Sequence, residues 1–256
     1  MRTAVGDYEE IQEIELIGTQ FRLEPLRHGH VPGLVAAAAG GGELYRWSPV
    51  PQGEAQIRRY VETAAGARDS GAAVPFAVVR VEDDVVIGST RFFDLGYWAW
   101  PDGHHSSTGP DTCEIGHTWL SQDAIRTGAN TEMKRLMLSY AFEVCRVQSV
   151  CLHTDARNQR SRDAMQRIGA RFEGVLRSHR LGADLAPRDS VRFSVTAADW
   201  PAVRLRIDEL ARRYQPARRL PRRPCGAGKS GCAGSATRPG QIPAACRSGR
   251  STGTHG

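Results

Sequence analysis

The 256-residue chain has no apolar stretch long enough to span a bilayer. Its longest run, Leu34 to Ala39, falls far short of the ~20 residues a membrane helix needs. The N-terminus lacks the apolar core of a secretory signal, since Asp7, Glu9 and Glu10 arrive early and no apolar segment follows. There is no C-x-x-C pair. Cys113, Cys145 and Cys151 lie in the body of the chain, and Cys225, Cys232 and Cys246 lie near its end, at spacings of 7 and 14 that match no common zinc pattern. An odd number of cysteines in the body argues against a disulfide framework. The expectation is a cytoplasmic protein with reduced thiols, no metal and no membrane.

Acidic residues and aromatics are both missing from Gln215 to Gly256. Those 42 residues hold seven Arg, one Lys, 8 Gly and 5 Pro, and their only large aliphatics are Leu220 and Ile242. Such a segment cannot bury enough apolar surface to offset chain entropy, so 214–256 reads as a disordered basic tail. Gly228-Lys229-Ser230 looks like the end of a phosphate-binding loop, but the position of its first glycine is held by Arg223 and no strand precedes it. The tail carries +8, whereas Met1 to Tyr214, with 26 basic and 28 acidic residues, carries −2. The net charge of +6 is therefore a property of the tail, which reads foremost as a solvated extension, and nucleic acid is not an expected partner except through it.

What is present is an ordinary globular composition, 40% hydrophobic and 24% charged. After an extension, 1–18, strand and helix patterns alternate through 19–213. Thr19 to Leu26 reads as a strand, and His28 to Ala39 and Gln52 to Arg68 read as helices. Val74 to Val81 and Val85 to Phe93 are β-branched runs joined across Glu82-Asp83-Asp84, a hairpin signal. A loop from Gly96 to Asp111 leads to a strand from Thr112 to Leu120. Met133, Leu136, Met137, Tyr140, Ala141 and Val144 then recur on one face of a helix that Asn130 or Thr131 would cap. Ser149 to Thr154 is a short buried strand, and Ser161 to Ile168 is a helix stopped by Gly169. Phe172 to Arg177 and Ser190 to Val195 are strands. A last helix runs from about Ala198 to Arg213.

Chemistry concentrates where strands feed helices. Arg126-Thr127-Gly128-Ala129-Asn130-Thr131 leads from one strand into a helix, and a helix N-terminus with small residues and a nearby arginine binds phosphate. Asn158-Gln159-Arg160-Ser161 repeats the arrangement after the next strand. In this order, Cys113 to Leu120, Arg126 to Glu132, Asn158 to Ser161 and Ile168 to Gly174 resemble the GNAT superfamily of N-acetyltransferases. The branch they resemble acetylates ribosomal-protein N-termini, and the likeness covers roughly Gln20 to Leu210.

That resemblance implies a mixed α/β fold with a V-shaped central sheet of six to seven strands flanked by helices. Acetyl-CoA would lie in the V against Trp119 and Leu120, with its pyrophosphate on the loop from Arg126 and Thr127 through Gly128, Ala129, Asn130 and Thr131. Asn158 would hold the pantetheine arm. The loop departs from the family pattern Gln/Arg-x-x-Gly-x-Gly/Ala: Ile125 stands at the leading position and Asn130 at the last, with Arg126 one residue late. The implied reaction is direct attack of a primary amine, a protein N-terminus or a small molecule, on the thioester. The family also allows a homodimer.

An α-amine is about one-tenth neutral at pH 7, whereas an ordinary lysine is neutral at only about 0.04%, so a base matters far more for the second. Glu114 is the candidate base, acting through water; alternation would place it with Gly116 and Thr118 on one face of the strand. Its other reading is a solvated strand glutamate. His117 is an alternative base or simply a packed residue. Ser161 would protonate the leaving thiolate, or serve only as a helix cap. Trp47, Tyr97, Trp98 and His117 would wall the acceptor pocket, although the loop aromatics equally suit a cover for the core. His104 and His105 lack a third ligand and read as a polar loop tip. Two other classes remain open: a catalytically silent CoA-binding module, and a nucleic-acid-associated protein acting through its tail.

Overall fold

A computed structural model describes residues 14–101 and 109–214. Residues 215–256 of the tail, the first 13 residues, and His104 with His105 lie outside the described residues. The strands are β1 (Leu16–Ile17), β2 (Phe21–Pro25), β3 (Ala73–Arg80), β4 (Val86–Gly96), β5 (Thr112–Leu120), β6 (Ser149–Asp155), β7 (Arg171–Leu181) and β8 (Pro187–Thr196). The helices are α1 (Val31–Ala38), α2 (Gly53–Asp69), α3 (Ala129–Ser139), α4 (Gln159–Ile168) and α5 (Trp200–Arg212). All eight strands form one sheet in the order β1-β2-β3-β4-β5-β6-β8-β7. The strand beyond the expected six to seven is β1, which falls within the predicted extension 1–18 and pairs antiparallel with β2.

Both faces of the sheet are covered, which explains the nearly continuous apolar run of β3. Val74, Phe76 and Val78 point to one face, into a core built with Met133, Met137 and Leu138 of α3 and Val203 and Ile207 of α5. Ala77 and Val79 point to the other, where they meet Leu34 of α1 and Ile57 and Val61 of α2.

The sheet divides at its middle. Among the described residues β5 and β6 form the one parallel pair, and they bond over three residue pairs only: Thr112 with Ser149, Cys113 with Val150, and Glu114 with Cys151. β5 continues to Leu120 and β6 to Asp155 with no further pairing between them. The strands fork, and α3 and α4 start beyond the two tips.

Two local features depart from the sequence pattern. α3 begins at Ala129 rather than after an Asn130 or Thr131 cap, because Gly128 takes φ +96° and starts the helix itself. A Cβ there would also lie 2.6 Å from Tyr214 Cβ. At its far end α3 passes into a π turn, Tyr140–Val144. The wider turn rotates Val144 off the apolar stripe, leaving it 64% exposed.

Candidate active site

β5 carries the centre of the fork. In its ladder with β4, Ser89 pairs with Trp119 and Arg91 with Gly116, so His117 and Thr118 together oppose Thr90. This is a β-bulge, and His117 takes φ +50° within it. The bulge overturns the expected alternation. Glu114 and His117 share the face away from α3, where the His117 ring packs edge-on to Phe93 with centroids 5.0 Å apart. Thr118 turns to the opposite face. There its Oγ1 lies 2.8 Å from Thr90 Oγ1 and accepts from Lys134 Nζ at 3.2 Å.

Glu114 is not a solvated strand residue. It is 3% exposed at the apex of the fork, and its Oε2 accepts from Arg180 Nη2 at 3.0 Å. His153 Nδ1 stands 2.9 Å from the same oxygen, within ion-pair distance but outside hydrogen-bond geometry, so both ring nitrogens of His153 are buried without a hydrogen-bond partner. Burial alone would raise the Glu114 carboxyl. The contact with His153 and the charge of Arg180 outweigh it and hold the carboxyl below its usual range. The His117 side chain is open to the cleft. Partial desolvation, then the Arg91 and Arg180 charges, push its imidazole down to about 4, so it is neutral at pH 7.

The fork opens into a cleft of about 450 Å³. His117, Trp119 and Leu120 line it from β5, and Arg126, Gly128, Asn130 and Thr131 line it from the loop and first turn of α3. Asn158 and Ser161 face it from the start of α4, and Trp47 closes one side. The predicted base Glu114 does not itself line it, and two of the predicted cofactor-binding residues do not reach it. Thr127 Oγ1 donates to Ala124 O at 2.8 Å, and Ala129 is packed in the core. Within α3 the bonding begins with Glu132 N to Gly128 O at 2.9 Å, which leaves the amides of Asn130 and Thr131 without helical acceptors. Arg126 takes φ +65° and lines the cleft.

The capping reading of Ser161 belongs instead to Asn158. Asn158 Oδ1 accepts from Ser161 N at 3.1 Å, while no hydrogen bond engages Asn158 Nδ2 or Ser161 Oγ among the described residues. The aromatics separate into two groups. Trp119 is braced by Tyr45 and Tyr60, with centroids 6.4 and 6.5 Å away, and Tyr45 Oη donates to Leu120 O at 2.9 Å. Trp47 is covered by the Arg157 guanidinium at 4.0 Å. Tyr97 and Trp98 lie elsewhere. Asp111 accepts from Trp98 N and Trp100 Nε1, both at 2.7 Å, and folds that loop away, so Tyr97 lines a separate apolar pocket beside Cys113 and Tyr140.

Several groups at the fork carry no simple sequence signal. Arg180 arrives because β7 runs four residues beyond its apolar portion, through the polar Ser178-His179-Arg180. Tyr45 sits in a short 3-10 turn. Lys134 had a signal: it lies three and four residues before the inward Met137 and Leu138, a lysine on a buried stripe.

Among the described residues no three His, Cys, Asp or Glu side chains form a metal cluster, and no helix is long and apolar enough to cross a membrane. The family model described as "Acetyltransferase (GNAT) domain" matches residues 20–171. No curated protein matches the chain. Among solved structures, a GCN5-related N-acetyltransferase from Brucella melitensis shares 26% identity at a TM-score of 0.66, over 77% of this chain and 85% of its own. A protein assigned as an acetyltransferase from T. thermophilus shares 32% identity at 0.62, over 76% and 95%. Mycobacterium smegmatis RimJ, in complex with CoA-disulfide, has the same fold at a TM-score of 0.65, with 17% identity over 79% and 97%. A sheet forked between β5 and β6, a family model that spans more than half the chain, and a relative sharing almost a third of its residues agree: this protein belongs to the GNAT family of acetyltransferases and is an acyltransferase.

Proposed function

We propose that the chain transfers the acetyl group of acetyl-CoA to a primary amine, a protein N-terminus or a small molecule, by direct attack on the thioester. The single observation that carries this reading is the fork. Beyond Glu114 the inner edge of β5 has no ladder partner and faces the start of α4 across an open cleft. A pantetheine arm satisfies such an edge as an added strand would. The charges fit the rest of the donor. Arg126, Arg160 and Arg167 line the cleft and Asp163 is the acid that accompanies them. With the free amides of α3, they suit a diphosphate.

The residues then take distinct roles. The unengaged Nδ2 of Asn158 is the donor to a pantetheine carbonyl. The free hydroxyl of Ser161 gives its proton to the departing thiolate. Main-chain N–H groups of the bulged segment at His117 to Trp119 steady the tetrahedral oxyanion. Glu114, kept ionised by its contact with His153 and by Arg180, accepts the amine's proton through water. Because it is a weak base, the acceptor it suits best is an amine already partly neutral at pH 7, such as an α-amine.

The test is thiol release from acetyl-CoA across a panel of peptide and small amines. Asn158→Ala should weaken CoA binding about tenfold, the loss of one hydrogen bond to an uncharged group. Ser161→Ala should instead lower turnover about 10²-fold with binding retained. Release that is unchanged in both variants would remove these assignments. CoA binding without release for any amine would point to a silent CoA-binding module.

A further inference from the structure

We propose that Lys134 is a site of self-acetylation, its side-chain amine taking the acetyl group from the thioester held in its own cleft when no acceptor is present. The inference rests on the function proposed above, which supplies the donor.

Lys134 stands in the second turn of α3 and is 6% exposed. Lysine is almost never buried to this degree unless paired with an acid. Here the hydrogen bond of Nζ is to a neutral hydroxyl, Thr118 Oγ1, and among the described residues no carboxylate lies within ion-pair distance. The side chain lines the same cleft as His117, Trp119 and Asn158. The bulge at His117 is what turns Thr118, and with it the Lys134 amine, to the fork beside the segment assigned to the thioester.

Burial outweighs the opposing charge of Glu114 and pushes the Lys134 ammonium down to about 7. Half of it is then a free amine at neutral pH, on the order of 10³ times the fraction of an ordinary lysine. Composition points the same way. Of the 34 basic residues, Lys134 and Lys229 are the only lysines and the rest are arginine. Arginine stays charged at any ordinary pH, so the chain places one of its two lysines where a cation must be able to lose its proton.

The step balances without a further reagent. The Nζ lone pair attacks the thioester carbonyl, the C–N bond forms, and the C–S bond breaks with its electron pair leaving on sulfur. The proton lost from nitrogen passes to the thiolate. The products are Nε-acetyl-lysine and CoA thiol. The amide does not hand its acetyl group on to an amine, so the modification accumulates to one group per chain at this position.

The experiment incubates the full chain with acetyl-CoA and no amine, follows acetylation by peptide mass spectrometry, and follows CoA binding by thermal shift. Lys229 in the same digest reports the uncatalysed reaction. Lys134 should be acetylated on the order of 10³-fold faster than Lys229. Asn158→Ala should slow Lys134 and leave Lys229 unchanged, and Lys134→Arg should abolish the fast event. Equal rates at the two lysines in a chain that binds CoA would overturn this inference and leave the acetyltransferase reading standing. A chain that does not bind CoA would overturn both.

Discussion

The two faces of the fork bury one charge each and treat it differently. On the face away from α3, Glu114 is 3% exposed with Arg180 on its carboxylate and His153 beside it. On the α3 face, Lys134 is 6% exposed; among the described residues its hydrogen bond is to the Thr118 hydroxyl, and the Glu114 charge acts on it without an ion pair. Both groups have a lowered pKa, with opposite consequences: the carboxyl is held ionised, and the ammonium is driven toward neutrality. Burial disfavours the charge on both sides, and the partner decides whether the charge survives it.

Three substitutions would break or sharpen this contrast. The largest effect should come from Arg180→Ala, which leaves Glu114 buried without its cation. A loss of about 3 kcal/mol is expected in denaturant unfolding, and most of it should return in the double variant with Glu114→Gln. If the double variant is no more stable than Arg180→Ala alone, the clamp does not hold the carboxylate.

Next is Lys134→Met, which should stabilise by about 2 kcal/mol at pH 6 by removing the cost of an unpaired buried amine. The folded pKa, about 7, lies below the ordinary 10.5. Between those values the unfolded chain binds the extra proton, so the wild type regains stability as pH rises through that window. The advantage of Lys134→Met should therefore shrink from about pH 6 to about pH 10. A constant advantage would show that the amine does not titrate inside the fold.

The smallest effect is the acid counterpart. The lowered Glu114 carboxyl contributes stability above its ordinary pKa, and that contribution is lost as pH falls through the folded value. Wild type should exceed Glu114→Gln at pH 6 and by progressively less as pH falls below the ordinary carboxylate range. A gap that does not close on acidification would mean the carboxylate is not what the surrounding cations stabilise.

Much of this architecture was legible in the sequence where local chemistry decides it. The β3–β4 hairpin follows from two β-branched runs around Glu82 to Asp84, and the stop of α4 follows from Gly169, which takes φ +99°. The start of α4 after β6 is legible too, although the cap is Asn158 and not Ser161, the residue the capping reading names. What stayed hidden depends on distant partners. The bulge at His117 is set by pairing with β4, and a period-two pattern cannot show it, so Thr118 was placed on the wrong face. The π turn that turns Val144 outward obeys no helical period. Arg180 sits on a polar strand extension whose reason for being extended is its partner β8. Tyr97 and Trp98 looked like pocket walls, and one aspartate across the loop redirects them.

Mechanically, the sheet is two blades, five strands and three, riveted by three rungs. So short a seam resists little shear by itself. What keeps the blades from peeling is packing behind them: Phe142, in the π turn after α3, stacks on Trp200 of α5 at 5.2 Å, and Arg135 of α3 reaches Asp208 of α5 at 3.9 Å. A guest sliding between the blades therefore breaks no existing backbone ladder, and each amide it engages adds a rung that the empty protein lacks.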